Sequence, residues 1–457
     1  MKKLIALLLA LVMVFGLVAC SVETVEPTTA PAATEAAPAA TEAATEAAPA
    51  AASEITLWTY PIGGWGNQET VEGLMAAFEA KTGVKVTVEY LDYTNGDDKV
   101  NTAIEGGAAP DLIMEGPERL VANWGAKGLM VDLSDLIDAT DVAELNPAAY
   151  AACVTAEGAT YEYPLVMTAH CMAINKTVFE AAGAMQYLNA ETHTWNSVED
   201  FWKAVDAVYA HTGAQVGSVF CGGQGGDQGT RAIVNNLNGG TFTTADHTAY
   251  TWDSAENVAA LEALKACEGI EFDEGIVGGD EIALFYQGNL NMAFCWNIAQ
   301  QLNPNTADTG AGLTVSGDEI LFMAFPSDTT AQLCGGIWGF GIFNNGNAEK
   351  IEGAKKFIKY MCDSEKTADA VKAANYFAVR NTAEGTDLST IWADNEIMNQ
   401  YNVLMPMLGD YYQVTTGWAN ARTAWWNMLQ AIDNSDGSDI AGIVAQYEAN
   451  ANAAMAG

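Results

Sequence analysis

The chain has 457 residues, half of them hydrophobic, and a formal net charge of −39. A surface that acidic repels nucleic acid and anionic lipid, so neither is expected as a direct partner, and it favours solubility in an exported protein. Its length is too great for one small core and comfortable for two domains.

The chain opens with Met1, Lys2 and Lys3 and then an apolar run to Ala19. A short positive end before a short apolar segment reads as a secretory signal, residues 1–19, not as a membrane span. Leu17-Val18-Ala19-Cys20 resembles the bacterial lipobox, which implies cleavage before Cys20 and a diacylglycerol on its sulfur. The plainer alternative is a soluble export signal that happens to contain a cysteine. Residues 20–53 are then the lipidated cysteine and a tether of Ala, Thr, Glu and Pro. They bury too little apolar surface to offset the entropy of ordering and are expected to stay disordered. Such a tether spans at most about 100 Å stretched and roughly 30 Å as a coil. The expected location is the extracytoplasmic face of the cell membrane, attached by lipid alone.

Folded sequence begins at "EITLWTY", a strand followed by the Gly-rich loop "PIGGWGNQ". Val71, Leu74, Met75 and Phe78 stand at i, i+3, i+4 and i+7, one stripe of an amphipathic helix that Gly83 stops. "VKVTVEY" alternates as a strand does. A helix near Val100–Ile104 leads to "APDLIMEGPER", a short apolar strand bounded by Pro110 and Gly116. This alternation describes an α/β sheet, in which ligands sit beyond the carboxyl ends of the strands. The loops after Leu57 and Met114 are therefore the first candidates for a site. Further on, "TWNSVEDFWKAVDAVYAHTG" reads as a helix capped by Asn196 or Ser197, and "TWDSAENVAALEALKAC" as one capped by Asp253 or Ser254. "IWGFGIF" reads as a strand, "AEKIEGAKKFIKYMCD" as a helix, and the last third as helices joined by the turn "DNSDGS". Ile432 stands where a calcium loop would need its first ligand, so that turn is read as plain.

From about residue 54 to the end, the segments "FEAKTGVKVTVE", "GGAAPDLIMEGPERLVANWGAKGLMVDLSDLI", "YEYPLVMTAHCMAINKTVFEAAG", "FYQGNLNMAFCWN" and "WANARTAWWNML" resemble, in family order, the extracellular solute-binding proteins of ABC importers. The branch is that of the maltose-binding proteins. The resemblance implies an α/β fold of two lobes, type II periplasmic-binding-protein-like, with a hinge that closes on a solute. It places residues 54–164 with 326–362 in the amino-terminal lobe and 165–325 with 363–457 in the other. Crossings are expected near Pro164, Pro326 and Asp363. It also implies permease subunits as partners, a monomer, no cofactor and no catalysis.

Sugar recognition needs rigid apolar faces and fixed polar groups. Of the 12 tryptophans, Trp418 matches the segment that carries the family's stacking indole, four residues before Arg422. The alternative is a helix-core tryptophan. Trp58, Tyr60 and Trp65 occupy the end of the first strand and its loop. Glu118 and Arg119 match the pair that holds sugar hydroxyls, although an acid in a first helical turn needs no ligand. Trp296 and Asn297 follow "NMAF" where the family shows Gly-Pro-Trp; here the pattern is broken. Trp338 lies near the cleft in the family but is also a strand tryptophan. Glu115 replaces an aromatic and Thr168 a glutamate, so maltose itself is not carried over, and a mono- or oligosaccharide is expected.

Two rival readings stand beside this one. A glycosidase needs paired carboxylates, which an acidic chain always supplies, but no hydrolase motif appears, and "CGGQGGDQGTR" lacks the end of a P-loop. A cationic solute such as a polyamine would suit Glu115, Glu118 and the aromatics, with Arg119 against it. Tyr411 and Tyr412 resemble the paired tyrosines of ferric-ion binders without other support. The four histidines lack metal-ligand spacing. The seven cysteines beyond Cys20 have no CxxC pair and read as free thiols.

Overall fold

The computed structural model describes residues 52–455, apart from 94, 223–226 and 304–309. The expected leader, Cys20 and most of the tether lie outside the described residues, as does the centre of "CGGQGGDQGTR".

Strand β1 (Glu54–Thr59) leads through a tight turn into helix α1 (Gln68–Thr82), whose Val71, Leu74, Met75 and Phe78 are all buried. Gly83 ends the helix at φ 75°, a conformation open to glycine without a Cβ penalty. Strand β2 (Lys85–Tyr90), helix α2 (Gly96–Glu105) and strand β3 (Leu112–Glu115) complete the unit. β2 and β3 both run parallel to β1. The sheet continues from β3 through the strand Gly335–Ile342 to β4 (Tyr163–Ala169) and the strand Phe377–Ala378. Gly335–Ile342 is antiparallel to both of its neighbours. One wide sheet therefore draws on distant parts of the chain.

A second set of strands centres on β5 (Cys171–Asn175), antiparallel to Met292–Trp296 and Ile320–Met323. Beside it lies the parallel pair Gly217–Gly222 and Ile270–Val277. Helices Val198–Thr212 and Ala255–Ala266 cover these strands, and serine caps both: Ser197 and Ser254 accept from the backbone N–H three residues on.

Only His170 separates β4 from β5, so the chain passes from the first sheet to the second there and not at Pro164. Pro164 lies inside β4, beside the register shift between Trp338 and Gly339. Proline cannot donate to a ladder and is tolerated at such irregularities. The strand Phe377–Ala378 still pairs with β4 well past Asp363, near which the third crossing was expected. The seven described cysteines are free, five of them buried. Among the described residues, no helix is long and apolar enough to cross a membrane.

The irregularity beside Pro164 demands a glycine. A Cβ on Gly339 would lie 2.1 Å from the Tyr163 carbonyl oxygen and 2.7 Å from Pro164 Cα. Gly339→Ala is expected to lose about 2 kcal/mol in urea unfolding. Gly73→Ala, at a helical position with open space around it, is expected to gain up to about 1 kcal/mol. Equal effects at the two sites would refute this account of the bulge.

Candidate binding cleft

The carboxyl ends of the three parallel strands deliver the first pole of the site. Tyr60 follows β1, Tyr93 follows β2 and Glu115 ends β3. Tyr93 stacks on Tyr60 with centroids 5.1 Å apart. The Arg119 guanidinium lies 5.1 Å from the Tyr60 ring centre and 5.6 Å from that of Tyr93. Tyr60 donates its hydroxyl to Asp97.

Arg119 binds three carboxylates. Its Nε donates to Asp97 at 2.8 Å, and its Nη1 to Glu115 at 2.8 Å and to Glu118 at 3.4 Å. Glu118 also accepts from the Tyr411 hydroxyl at 2.8 Å. Burial pushes Glu115 up to about 8, with Arg119 opposing and Glu118 and Asp97 adding to the rise. Burial works the same way on Asp97, but there Arg119 and the Tyr60 hydroxyl outweigh it and hold the carboxyl below its usual range.

Tyr93 keeps 49% of its surface. Nonetheless, desolvation by the surrounding protein pushes its hydroxyl well above the ordinary value. The two observations agree if the ring lines a concave space, open to water but enclosed by protein. Trp338, in the strand Gly335–Ile342, stacks on Tyr376, just before the strand Phe377–Ala378, at 4.8 Å and 15° between planes.

The second pole is built from two helices. Trp418 opens the helix Trp418–Asp433, with Gly417 at φ 74° before it and Arg422 one turn further on. Asp227 precedes the helix Gln228–Asn238, which carries Arg231 in its first turn. Asp227 accepts from Arg231, from Arg422 Nε at 3.1 Å and from Arg422 Nη2 at 2.8 Å. Burial would raise the Asp227 carboxyl, but the two guanidiniums hold it below the usual range. Arg231 lies 4.8 Å from the Trp418 ring centre. Phe242 meets Trp418 edge-on at 5.9 Å and lines an adjoining cavity of about 360 Å³ with Asn235, Thr241, Thr243, Gln332 and Asp410. Arg422 also helps to hold Asp97 down, so the two poles lie within electrostatic reach of each other.

Of the expected residues, Tyr60, Glu115, Glu118 and Arg119 come together at the first pole, and Trp418 stands at the second, only 5% exposed and packed on the core as the helix-core alternative has it. Trp338 lies at the aromatic wall. Trp65 is in the core: its indole N–H donates to the Ala370 carbonyl at 3.0 Å and its ring meets Phe340. Trp296 is also core, donating to Gln301 and packed on Phe285. Asn297 caps the helix Ile298–Leu302. Trp58 is half-buried, with Lys99 5.2 Å from its ring centre. The sequence reading passed over Tyr93, Asp97, Asp227 and Tyr376. The strand-end rule already pointed to the first two, because "DYTNGDD" follows the carboxyl end of β2 as "PIGGWG" follows β1.

A profile of bacterial extracellular solute-binding proteins matches residues 73–400, and the chain belongs to that family. Its fold is shared with solved solute receptors at low sequence identity. One is the GacH receptor of Streptomyces glaucescens, described unliganded and with acarbose: TM-score 0.67, 16% identity, covering 87% of this chain and 98% of that one. Another is an ABC substrate-binding protein from Listeria monocytogenes in complex with cycloalternan: TM-score 0.67, 19% identity, 88% and 99% covered. A third is the cyclic α-maltosyl-1,6-maltose binding protein of Arthrobacter globiformis: TM-score 0.69, 17% identity, 88% and 98% covered. The fold is thus the two-lobe, periplasmic-binding-protein-like α/β architecture. A search of curated proteins found no match.

Proposed function

We propose that this chain is the lipid-anchored receptor of an ABC importer, which takes a mono- or oligosaccharide between its lobes and hands it to membrane permease subunits. The observation that carries this reading is the pairing, within one cleft, of aromatic faces with polar groups fixed by ion pairs. Tyr93 provides an open face, with the largely buried Trp418 packed at the other pole; Arg119 and Asp227 hold the carboxylates and guanidiniums that suit hydroxyl groups. The solved relatives bound to acarbose and cycloalternan support a carbohydrate. The lipobox-like Cys20 and the Ala/Thr/Glu/Pro tether support attachment at the extracytoplasmic face, where a short leash raises local concentration at the permease. The lobes are assigned to residues 54–164 with 326–362 and to 165–325 with 363–457. The change of sheet at His170, a few residues past the first of these boundaries, supports a passage in that region.

A thermal-shift screen over mono- and oligosaccharides is expected to find a sugar that raises the midpoint in a concentration-dependent way. Trp418→Ala is expected to weaken that sugar roughly tenfold or more, about 1.4 kcal/mol, with the fold intact by circular dichroism. An unchanged affinity would remove Trp418 from the site. The bound sugar is expected to be recovered intact, and release of hydrolysis products would overturn the reading as a receptor without catalysis.

A further inference from the structure

The first pole gathers more carboxyl groups than its arginine can pair. Asp97, Glu115 and Glu118 share Arg119. A fourth carboxylate, Glu162, stands directly before β4 and has no exposed surface. Both of its oxygens are sealed from solvent and lack a hydrogen-bond partner among the described residues. The charged groups whose fields act on it are Glu118 and Glu115, and both repel it. The Tyr411 hydroxyl donates to Glu118 at 2.8 Å, and the fields of Glu162 and Glu115 reach it as well.

A buried carboxylate without a partner is costly, and no neutral sugar hydroxyl supplies a charge to pair with it. A protonated amine supplies both the charge and three N–H donors. Of Glu115, Glu118 and Glu162 the most accessible is Glu118, whose side chain keeps 15% of its surface against 1% for Glu115, while Asp97, at 48%, is already tied to Arg119 and Tyr60. Tyr93, half exposed beside Arg119, offers a ring face to a cation. At the second pole Asp227 is matched by two guanidiniums, and nothing comparable stands there among the described residues. The cleft is thus polarised, acidic at one end and balanced at the other.

We propose that the solute is an amine-bearing carbohydrate whose protonated nitrogen is held by Glu118, with Glu115 and Glu162 behind it, while its neutral end lies toward Trp418. This rests on the carbohydrate reading above and narrows it. Burial raises Glu115 to about 8, so this carboxyl holds its proton at pH 7 in the free protein, and burial raises Glu162 in the same direction. A bound ammonium stabilises their ionised forms, and a proton leaves to solvent as the solute enters.

The test is isothermal titration of the full chain at pH 7 with four probes: a glucosamine disaccharide, its N-acetylated counterpart, a neutral glucose disaccharide and a linear diamine. Each is run in two buffers of different ionisation enthalpy. The amine-bearing sugar is expected to bind roughly tenfold or more tighter than the other two sugars, with a buffer-dependent enthalpy that reports proton release. Glu118→Gln and Glu162→Gln are each expected to shrink that preference, and the buffer dependence stands as a check should Glu162→Gln fail to fold. Equal binding of all three sugars without proton exchange overturns this inference and leaves the carbohydrate reading in place. Failure of the amine-bearing sugar beside a neutral one that binds does the same. Binding of a linear diamine in place of every sugar overturns both.

Discussion

Replacing Asp227 with alanine is expected to lower the stability of the folded chain by about 3–5 kcal/mol, the usual cost of breaking a buried ion pair from one side. Asp227 keeps almost no exposed surface and stands between Arg231, itself fully buried, and Arg422. Without the carboxylate, two guanidiniums face each other where water is scarce. Urea titration at pH 7 reads the loss directly. Asp227→Asn keeps the shape and part of the acceptor capacity, and is expected to lose less. If the alanine variant loses under about 1 kcal/mol, the arginines have found other partners and the second pole is not organised by this residue. The same variant is expected to weaken solute binding, because Arg231 and Arg422 both approach the Trp418 ring and take their positions from Asp227.

Acid is expected to destabilise the chain through His170. Burial, with the field of Arg231 added, depresses this imidazole to about 4 against an ordinary 6.5, while Asp227 acts in the opposite sense. Part of the residue's surface reaches solvent, but Nε2 is sealed off and has no hydrogen-bond partner among the described residues. Between the two values the unfolded chain binds the proton and the folded chain refuses it. Stability is therefore fully present above about 6.5 and is lost as the pH falls toward 4. Allowing for partial solvation, the loss is roughly 2–3 kcal/mol. Urea midpoints at pH 7, 6, 5 and 4 for the parent and for His170→Gln isolate the contribution, since Glu115 and the other buried acids are common to both. Parallel profiles would refute the assignment. The two predictions are linked: in Asp227→Ala the histidine loses its one favourable charge, and the acid loss should begin no later.

Much of the fold is readable from local pattern. The stripe of Val71, Leu74, Met75 and Phe78, closed by Gly83, specifies α1 because period and stop signal agree within one segment. The same pattern reading fails at Pro164, where a residue that usually marks a boundary sits in a strand whose partner, Gly339, is far away in sequence. The site divides along the same line. Tyr60 and Trp65 are neighbours in one loop and chemically alike, yet a tight turn at Gly63–Gly66 sends Trp65 inward to Ala370 and leaves Tyr60 facing Arg119. No local signal separates them, because the deciding contact is made by a helix contributed hundreds of residues later. Asp227 is invisible for a similar reason: one of its two arginines lies one helical turn away and the other in the last third of the chain.

The single-residue joint at His170 has a mechanical consequence. Its N–H donates to the Cys334 carbonyl at 2.8 Å, and the next residues on each side, Ala169 and Gly335, are in register. Two of the connections are therefore stitched together at one level and act as a single axle. Sliding across that joint would tear the stitch, whereas rotation about it would leave the stitch whole, so rotation is the motion this joint permits. In such a rotation, groups near the axle would barely travel, and groups at the rim would sweep the longest arc.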